Sequence, residues 1–540
     1  MSVAGVAAAA GRILVPIIAG SVMAGCVMVG PDFFTPTVAT KAGWQPSNRQ
    51  DPTVSQRREP SIEWWRRFND ATLNKLVAMA YEQNLTVRAA GVRIYEARAQ
   101  LGIVIGDQFP QSQSVGAGYK AERVSKDVGI LKTVSKIVDF DPTFQDWSAG
   151  FDAGWELDLW GQVRRGIQSA SANLVAKIAD YDDVLITVTG DVATAYITIR
   201  ELQDELALAR QNVNLQTESL RITQLRLKNG VTTELDVDEA TALLNNTKAE
   251  IPSLESDLAK AKNALAVLLG VPAGQIDAAV DRPGPIPRPP AEVGIGIPAD
   301  LLRRRPDIRA AEMRAAAQSA QIGVAKADLY PQFTISGAIG FKATDLSDLF
   351  TGKSFTGLIN PGITWNFLNY GRIRNNVRVQ DARYQALIVE YQQAVLKAYA
   401  EAEDALTAFL KSKQQAVYLA RAATSAKKAA RIALQQYQEG TADYSRVLNT
   451  QTTQLRTEQR LAAVRADVST NLVALYKALG GGWQPANERP FIPEATKEQM
   501  AGRTNWGKLL NEDAIPQDDR QLLVPPSPKE NPRRYLSADW

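Results

Sequence analysis

The sequence predicts a mainly α-helical chain with a smaller set of membrane-type β-strands, laid out as a two-fold internal repeat. Three observations carry that expectation: an internal match roughly 200 residues long, two helical stretches with almost no breakers, and four alternating segments with aromatic ends.

Residues 1–25 hold one charge, Arg12, ahead of an apolar run from Ile13 and the small pair Ala24-Gly25. That layout is an export leader. Met23-Ala24-Gly25-Cys26 resembles a bacterial lipobox, which implies that Cys26 becomes the lipid-modified first residue of the mature chain. A plain apolar anchor over Ile13 to Gly30 is the other reading of the stretch, although Pro16 in mid-run speaks against it. Val27 follows the cysteine where Asp would retain it, so the resemblance implies the outer membrane.

Composition excludes several classes. The 540 residues are 45% hydrophobic and 22% charged, with a mean hydropathy of −0.20, too polar for a polytopic helical membrane protein. Lys plus Arg 61 against Asp plus Glu 58 leaves +3, and no polybasic block suggests nucleic acid. Histidine is absent, which removes His-based acid–base chemistry, Ser-His-Asp triads and most zinc or haem sites. The single cysteine allows no internal disulfide and no CxxC motif. Neither a cofactor nor a metal is expected.

The internal match sets the domain plan. Arg88-Ala-Ala-x-x-Arg93, Ala99-Gln100-x-Gly102, Asp107 and Pro110-Gln111 return 221 residues later as Arg309-Ala-Ala-x-x-Arg314, Ala320-Gln321-x-Gly323, Asp328 and Pro331-Gln332. A second block returns at 210: Trp155/Trp365, Gly161/Gly371, Arg164/Arg374, Gly230/Gly440 and Leu269-Gly270/Leu479-Gly480, with aromatic Trp160 matched by aromatic Tyr370. The offset changes once, so the first copy carries a longer loop between its strands. The plan is a leader (1–25), a lipid-anchored segment (26–61), a first repeat (62–281), a connector (282–298), a second repeat (299–480) and a tail (481–540). Prolines crowd the connector and tail, which are expected to be extended or irregular.

Alternation is clearest from Trp147 to Leu159, where odd positions are apolar and even ones polar or glycine, and Phe355 to Phe367 is its counterpart. Gln111 to Tyr119 and Phe333 to Phe341 are the partner strands. Length, alternation and aromatic ends fit lipid-spanning barrel strands, while half of a soluble sandwich alternates in the same way. Four strands cannot close a membrane barrel, since the smallest has about eight. If they span lipid, several chains must contribute. Asp152, Glu156, Asp158, Asn360, Thr364 and Asn366 would then face a wet lumen.

Gln162 to Asn229 and Arg372 to Glu439 contain no proline, and at 1.5 Å per residue each would run roughly 100 Å. Shorter helices flank them: Ala71 to Asp107 and Leu235 to Leu269, then Ala299 to Asp328 and Tyr444 to Leu479. Leu461, Val464, Val468, Leu472, Leu475 and Leu479 recur at three and four, as a coiled-coil seam requires. Pro252 is expected to kink or break its helix. Gly230 and Gly440 end the long helices where a left-handed C-cap is wanted. Each copy therefore has a strand pair at one pole and a hairpin tip about 100 Å away.

These features together resemble the TolC family of outer-membrane channels, more narrowly the NodT-type efflux lipoproteins. The resemblance rests on Val29-Gly-Pro-Asp-Phe33 after Cys26, Trp64-Trp65-x-x-Phe68-x-Asp70, Leu301-Leu-Arg-Arg-Arg-Pro-Asp-Ile308, Trp365-x-Phe367-x-x-x-Gly371-Arg372 and Leu479-Gly-Gly-Gly-Trp483. It implies a homotrimer whose twelve strands form one outer-membrane barrel, continuous with an α-helical periplasmic tunnel. It also implies docking on a periplasmic adaptor and an inner-membrane RND-type pump, with no catalysis.

For the tip, the resemblance implies that polar bonds between the two turns hold the tunnel closed. Asp236 falls at the family's first-copy acceptor and Tyr437 at its second-copy aromatic donor. Asn449 replaces a constricting aspartate, and Ser445 and Arg446 stand where a leucine or another acid is usual. A ring of Asn and Arg is expected to be less cation-selective, or Arg446 to lock the tip by pairing with Asp236. Lys228, Asn229, Gly230 and Val231, with Glu439, Gly440, Thr441 and Asp443, are the expected adaptor contact. A type I secretion channel and a periplasmic adaptor are the alternatives. An adaptor would have one hairpin and small soluble β-domains rather than two copies. An enzyme is disfavoured because the carboxylate pairs, such as Asp182-Asp183, lie on ordinary helix faces.

Overall fold

The computed structural model describes residues 28–38, 43–45, 51, 53–55, 61–296, 304–484 and 489–511. Cys26, the leader, the first residues of the Leu301 motif and the end of the tail lie outside the described residues. Helices α1 (Ala71–Gln83) and α2 (Leu85–Gly106) lead into strands β1 (Ser112–Arg123) and β2 (Thr143–Leu157), then α3 (Gln162–Lys228) and α4 (Glu234–Leu268). The second copy runs α5 (Pro306–Ala327), β3 (Gln332–Ala343), β4 (Phe355–Thr364), α6 (Arg372–Gln438) and α7 (Tyr444–Ala478), and α8 (Glu494–Arg503) follows. Both long helices have 67 residues, roughly 100 Å of rise.

The four strands form one antiparallel sheet in the order β1-β2-β3-β4. The two copies meet in its middle, where Phe151 pairs with Ile339 and Trp155 with Ile335. Strands β1 and β4 are the outer edges. Pro361 sits in β4, an edge position where its missing N–H leaves no ladder bond unmade inside the sheet.

The expected helix from Ala71 to Asp107 is two helices. Asn84 leaves helical geometry (ψ 125°), caps α2 by accepting from the Val87 N–H at 2.9 Å, and donates to the Leu268 carbonyl at 2.7 Å. A contact from the end of α4 therefore makes the break, and no local breaker announces it. The converse holds at Pro252, which lies inside a continuous α4. Pro252 and Lys248, whose carbonyl loses its bond, are both exposed, so water can serve the freed oxygen while packing on α3 holds the rest. The tail also departs from expectation. Between Pro493 and Pro516 there is no proline, and Glu494–Arg503 forms α8, whose Met500 is buried against Tyr95 of α2 beside Ile492.

The main core lies at the middle of the long helices. Trp64, Trp65, Phe68, Leu73, Leu76, Tyr196, Leu472 and Tyr476 are buried there. Trp64 stacks on Tyr476 (5.5 Å, 14°) and meets Trp65 edge-on at 5.7 Å. Asp70 caps α1, accepting from Thr72 N at 2.8 Å and Leu73 N at 2.9 Å, and also accepts from the Tyr196 hydroxyl at 3.0 Å. The buried Arg200 guanidinium donates to Tyr196 Oη at 3.0 Å and to the Arg282 carbonyl at 2.6 Å, tying the connector to α3.

The N-terminal segment is strapped along the helices. Val29 N–H donates to the Trp160 carbonyl at 3.0 Å, and buried Arg165 donates to the Val29 carbonyl at 3.1 Å and pairs with Asp32 at 2.9 Å. Further along, Phe33 packs on Ala172 and Ala316, the Trp44 indole donates to the Gly296 carbonyl at 2.9 Å, and Val54–Ser55 pair with Val293–Gly294. The strap runs from the strand pole to the central core. Replacing Trp64 by Ala is expected to cost about 3–5 kcal/mol, read as a lower denaturant midpoint of the purified full chain.

Candidate functional site

Two regions hold the predicted site residues, and the hairpin tip is the more informative. The two turns are built alike. Gly230 (φ 64°) and Gly440 (φ 78°) take left-handed geometry, and Val231 N to Arg226 O and Thr441 N to Gln436 O, both 2.9 Å, close each helix end. Lys228, Asn229, Gly230, Val231, Glu439, Gly440, Thr441 and Asp443 are all exposed along these turns. Behind them Ile222, Ala240, Ala433, Tyr437, Tyr444 and Val447 form a small closed core.

Within that core Tyr437 and Tyr444 meet edge to face at 5.4 Å, and the Arg226 guanidinium lies 4.5 Å over the Tyr437 ring. Arg226 also donates to the Tyr437 carbonyl. Within the single chain Tyr437 does not pair with Asp236. The Tyr437 hydroxyl is buried with no hydrogen-bond partner among the described residues, and the Asp236 carboxylate is taken by the Thr232 hydroxyl one turn upstream. Nor does Arg446 reach Asp236 within the chain; Ser445, Arg446 and Asn449 stand exposed along the first turns of α7. Burial raises the Tyr444 phenol well above its ordinary value, and Tyr437, Glu239 and Asp236 nearby add to the effect.

Sequence reading missed Arg226 and Tyr444. The signal was available in the repeat: their counterparts at the 210 offset are Gln436 and Glu234, and that of Tyr437 is Leu227. The copies diverge at the positions where one turn packs on the other.

Higher on α3, Asp182 is not on an ordinary helix face. It is buried, and loss of water pushes its pKa up to about 7, with Arg309 of α5 partly opposing the shift and Asp183 adding to it. Glu201 is likewise pushed up to about 7 by burial, with Glu205 and Asp467 adding repulsion. Among the described residues no group of three or more acidic or cysteine side chains converges to hold a metal ion.

At the other pole the strand register sorts the expected lumen residues. Asp152 pairs with Ala338, Glu156 with Thr334, Asn360 with Ser336 and Thr364 with Gln332, so all four share one face with Ser114. The opposite face carries Val115, Phe151, Trp155, Ile335, Ile339, Ile359 and Ile363, all exposed in the single chain. Asp158 and Asn366 do not belong to the row, because β2 ends at Leu157 and β4 at Thr364. Asp158 instead caps α3: it accepts from Val163 N at 3.2 Å and Arg164 N at 3.1 Å, and pairs with Arg164 Nε at 3.0 Å. The Asn366 carbonyl closes a local turn by accepting from the Asn369 side chain at 2.9 Å.

Tyr437→Phe removes a hydroxyl that bonds to nothing and should change stability by under about 1 kcal/mol, whereas Tyr437→Ala should cost about 3–5 kcal/mol in the same chemical unfolding assay. Asp182 keeps its proton to about pH 7 when folded but loses it near 3.8 when unfolded, so stability falls as pH rises through that window. Asp182→Asn should flatten that part of the stability–pH curve, by an amount on the order of a few kcal/mol.

Comparison with known proteins agrees with this geometry. The family profile described as "Outer membrane efflux protein" matches residues 76–271 and 297–481. The pyoverdine export outer membrane protein OpmQ of Pseudomonas putida is 29% identical, covering 83% of this chain and 94% of its own. Nodulation protein T of Rhizobium leguminosarum bv. viciae is 29% identical, covering 84% and 91%. The solved structure of the outer-membrane channel OprN superposes with a TM-score of 0.78 at 33% identity, over 85% of this chain and 100% of that one. With its doubled strand–helix unit and its efflux-protein profile in both copies, the chain belongs to the outer membrane efflux protein family, whose members are TolC-like channels.

Proposed function

We propose that this chain is the outer-membrane component of a tripartite efflux system, a homotrimer whose four strands per copy close a twelve-stranded barrel above an α-helical periplasmic tunnel. One observation carries the reading: a four-stranded sheet with two unpaired edges and two exposed faces, one apolar and one polar. Unpaired backbone is intolerable in lipid, so such a sheet must close with strands of other copies, its apolar face on lipid and Asp152, Glu156, Asn360 and Thr364 on water. Among the described residues no helix is long and apolar enough to cross a membrane.

The strap supports lipid attachment at Cys26. Arg165 and Trp160 hold Val29 beside the strand ends, the level of the sheet at which a lipid anchor on the preceding segment would serve the outer membrane. The two exposed turns at the far end would meet a periplasmic adaptor, and an inner-membrane RND-type pump would supply energy. The molecule performs no chemistry on its cargo. Small molecules are the cargo class we propose, in keeping with the pyoverdine exporter among its relatives.

At the tip, three copies of exposed Asn449 and Arg446 would line the constriction, favouring neutral or anionic solutes. In planar bilayers the purified chain should conduct as a trimer, and Asn449→Asp should move the reversal potential in a salt gradient toward cation preference. Absence of conductance would defeat the channel reading, and identical reversal potentials would defeat the selectivity reading.

A further inference from the structure

The connector crosses the long helices near their middle and leaves a cleft of about 470 Å³ beside it. Pro285, Pro287 and Pro289 line it together with Val417 and Ala420 of α6, and buried Ser469 of α7 fixes the connector by donating to the Pro287 carbonyl at 2.6 Å. The charges around this apolar lining are not balanced. Arg288, Lys413 and Arg465 stand against one carboxylate, Asp204 of α3. None of the three cations has an ion pair among the described residues. Lys413 lies 5.9 Å from the centre of the Phe409 ring, and Asp51, which feels its charge, is engaged by the Thr53 N–H at 2.9 Å. Like charges that converge repel one another, and an anion seated between them removes that cost.

The repeat shows that the helical packing does not require these cations. At the 210 offset Lys413 and Arg465 correspond to Gln203 and Glu255, and the first copy uses both internally: Gln203 donates to the Val280 carbonyl at 2.7 Å, and Glu255 pairs with Arg210 at 2.8 Å. From Ala405 to Gln438, α6 carries six cations and no carboxylate, whereas the matching stretch of α3, 195–228, carries four carboxylates. Exposed Lys427 and Arg431 follow Lys413 by close to four and five helical turns, so the basic rim of the cleft continues along the same face of α6.

Depth narrows the choice of anion. Lys413 stands roughly 60 Å of helical rise from Arg372, the first residue of α6, which puts the cleft far from any bilayer that holds the sheet and excludes a lipid headgroup. On the duct reading above, the connector side of α6 is the outer wall, since a connector on the inner side would fill the passage. Outside a duct at that depth lies the cell wall, a mesh whose peptides carry free carboxylates.

We propose that the connector cleft and the basic rim of α6 bind the carboxylates of cell-wall stem peptides, seating the tunnel in the mesh that it crosses. Arg288, Lys413 and Arg465 hold the carboxylate, while the proline rings and Val417 pack on the apolar parts of the peptide. The inference rests on the periplasmic tunnel reading.

The test sediments the full-length chain, in detergent, with purified peptidoglycan sacculi. Wild type should co-sediment, be released by high salt, and ignore sacculi whose carboxylates have been converted to amides. Lys413→Glu/Arg465→Glu should lose most of the bound fraction and Lys413→Arg/Arg465→Lys should keep it, with both variants conducting in planar bilayers as wild type does, a sign that they fold. Equal sedimentation of the charge-reversed variant, or of wild type on amidated sacculi, overturns the proposal. So does intact sacculus binding by a charge-reversed variant that has lost efflux in cells, the result expected if the cleft serves an acidic protein instead. A wild type that conducts but does not sediment overturns this proposal alone, whereas a wild type that does not conduct overturns the duct reading and this inference with it.

Discussion

The antiparallel pairing of β2 with β3 is the joint on which the rest of the molecule depends. It is where the two copies become one sheet, and the helices that leave it inherit its geometry. Because β2 runs directly into α3 and α5 runs directly into β3, pairing those strands sets α5 against α3 along its upper half. Trp160 on Tyr330 and Gln162 on Asp328 fasten the contact at the level where sheet becomes helix. The sheet pairs internally at its centre, its two edge strands pair with nothing further among the described residues, and its apolar face is exposed in the single chain.

Helix α3 carries three buried charged residues, Arg165, Asp182 and Arg200, and the half-buried Arg226. Arg165 near its start holds the strap, Asp182 faces α5, Arg200 ties down the connector and α1 through Tyr196, and Arg226 covers Tyr437 at the tip. Each interaction fastens a different neighbour to one rod. Burying polar groups is costly unless they are bonded, so each of these contacts also specifies which segment must lie there. The second long helix, α6, has fewer such groups and more exposed apolar surface among the described residues.

Much of the architecture was legible because it rests on local periodicity. Alternation of apolar and polar residues located the strands to within a few positions, and the absence of Gly and Pro from Arg372 to the Gly440 turn announced a helix of that length. What periodicity could not show was any feature imposed from outside the element. Asn84 breaks a helix because Leu268 offers a carbonyl, and Pro252 fails to break one because its exposed face can be hydrated. Asp158 reads as the next residue of an alternating row but is one position past the strand, where capping α3 is the stronger use of a carboxylate. Helix α8 was hidden by the prolines on either side of it.

The candidate tip illustrates the same division. The sequence alone determined that there are two copies, that each ends in a glycine-capped turn, and that acidic, aromatic and basic residues gather near it, since all of these are properties of spacing and residue type. Only the tertiary structure decided which of them meet: Arg226 rather than Asp236 engages Tyr437, and Asp236 turns back to Thr232. The physical reason is distance. Hydrogen bonds and ring contacts act over a few ångströms, and residues some 210 positions apart are brought within that range by the packing of two long helices, which no local pattern encodes.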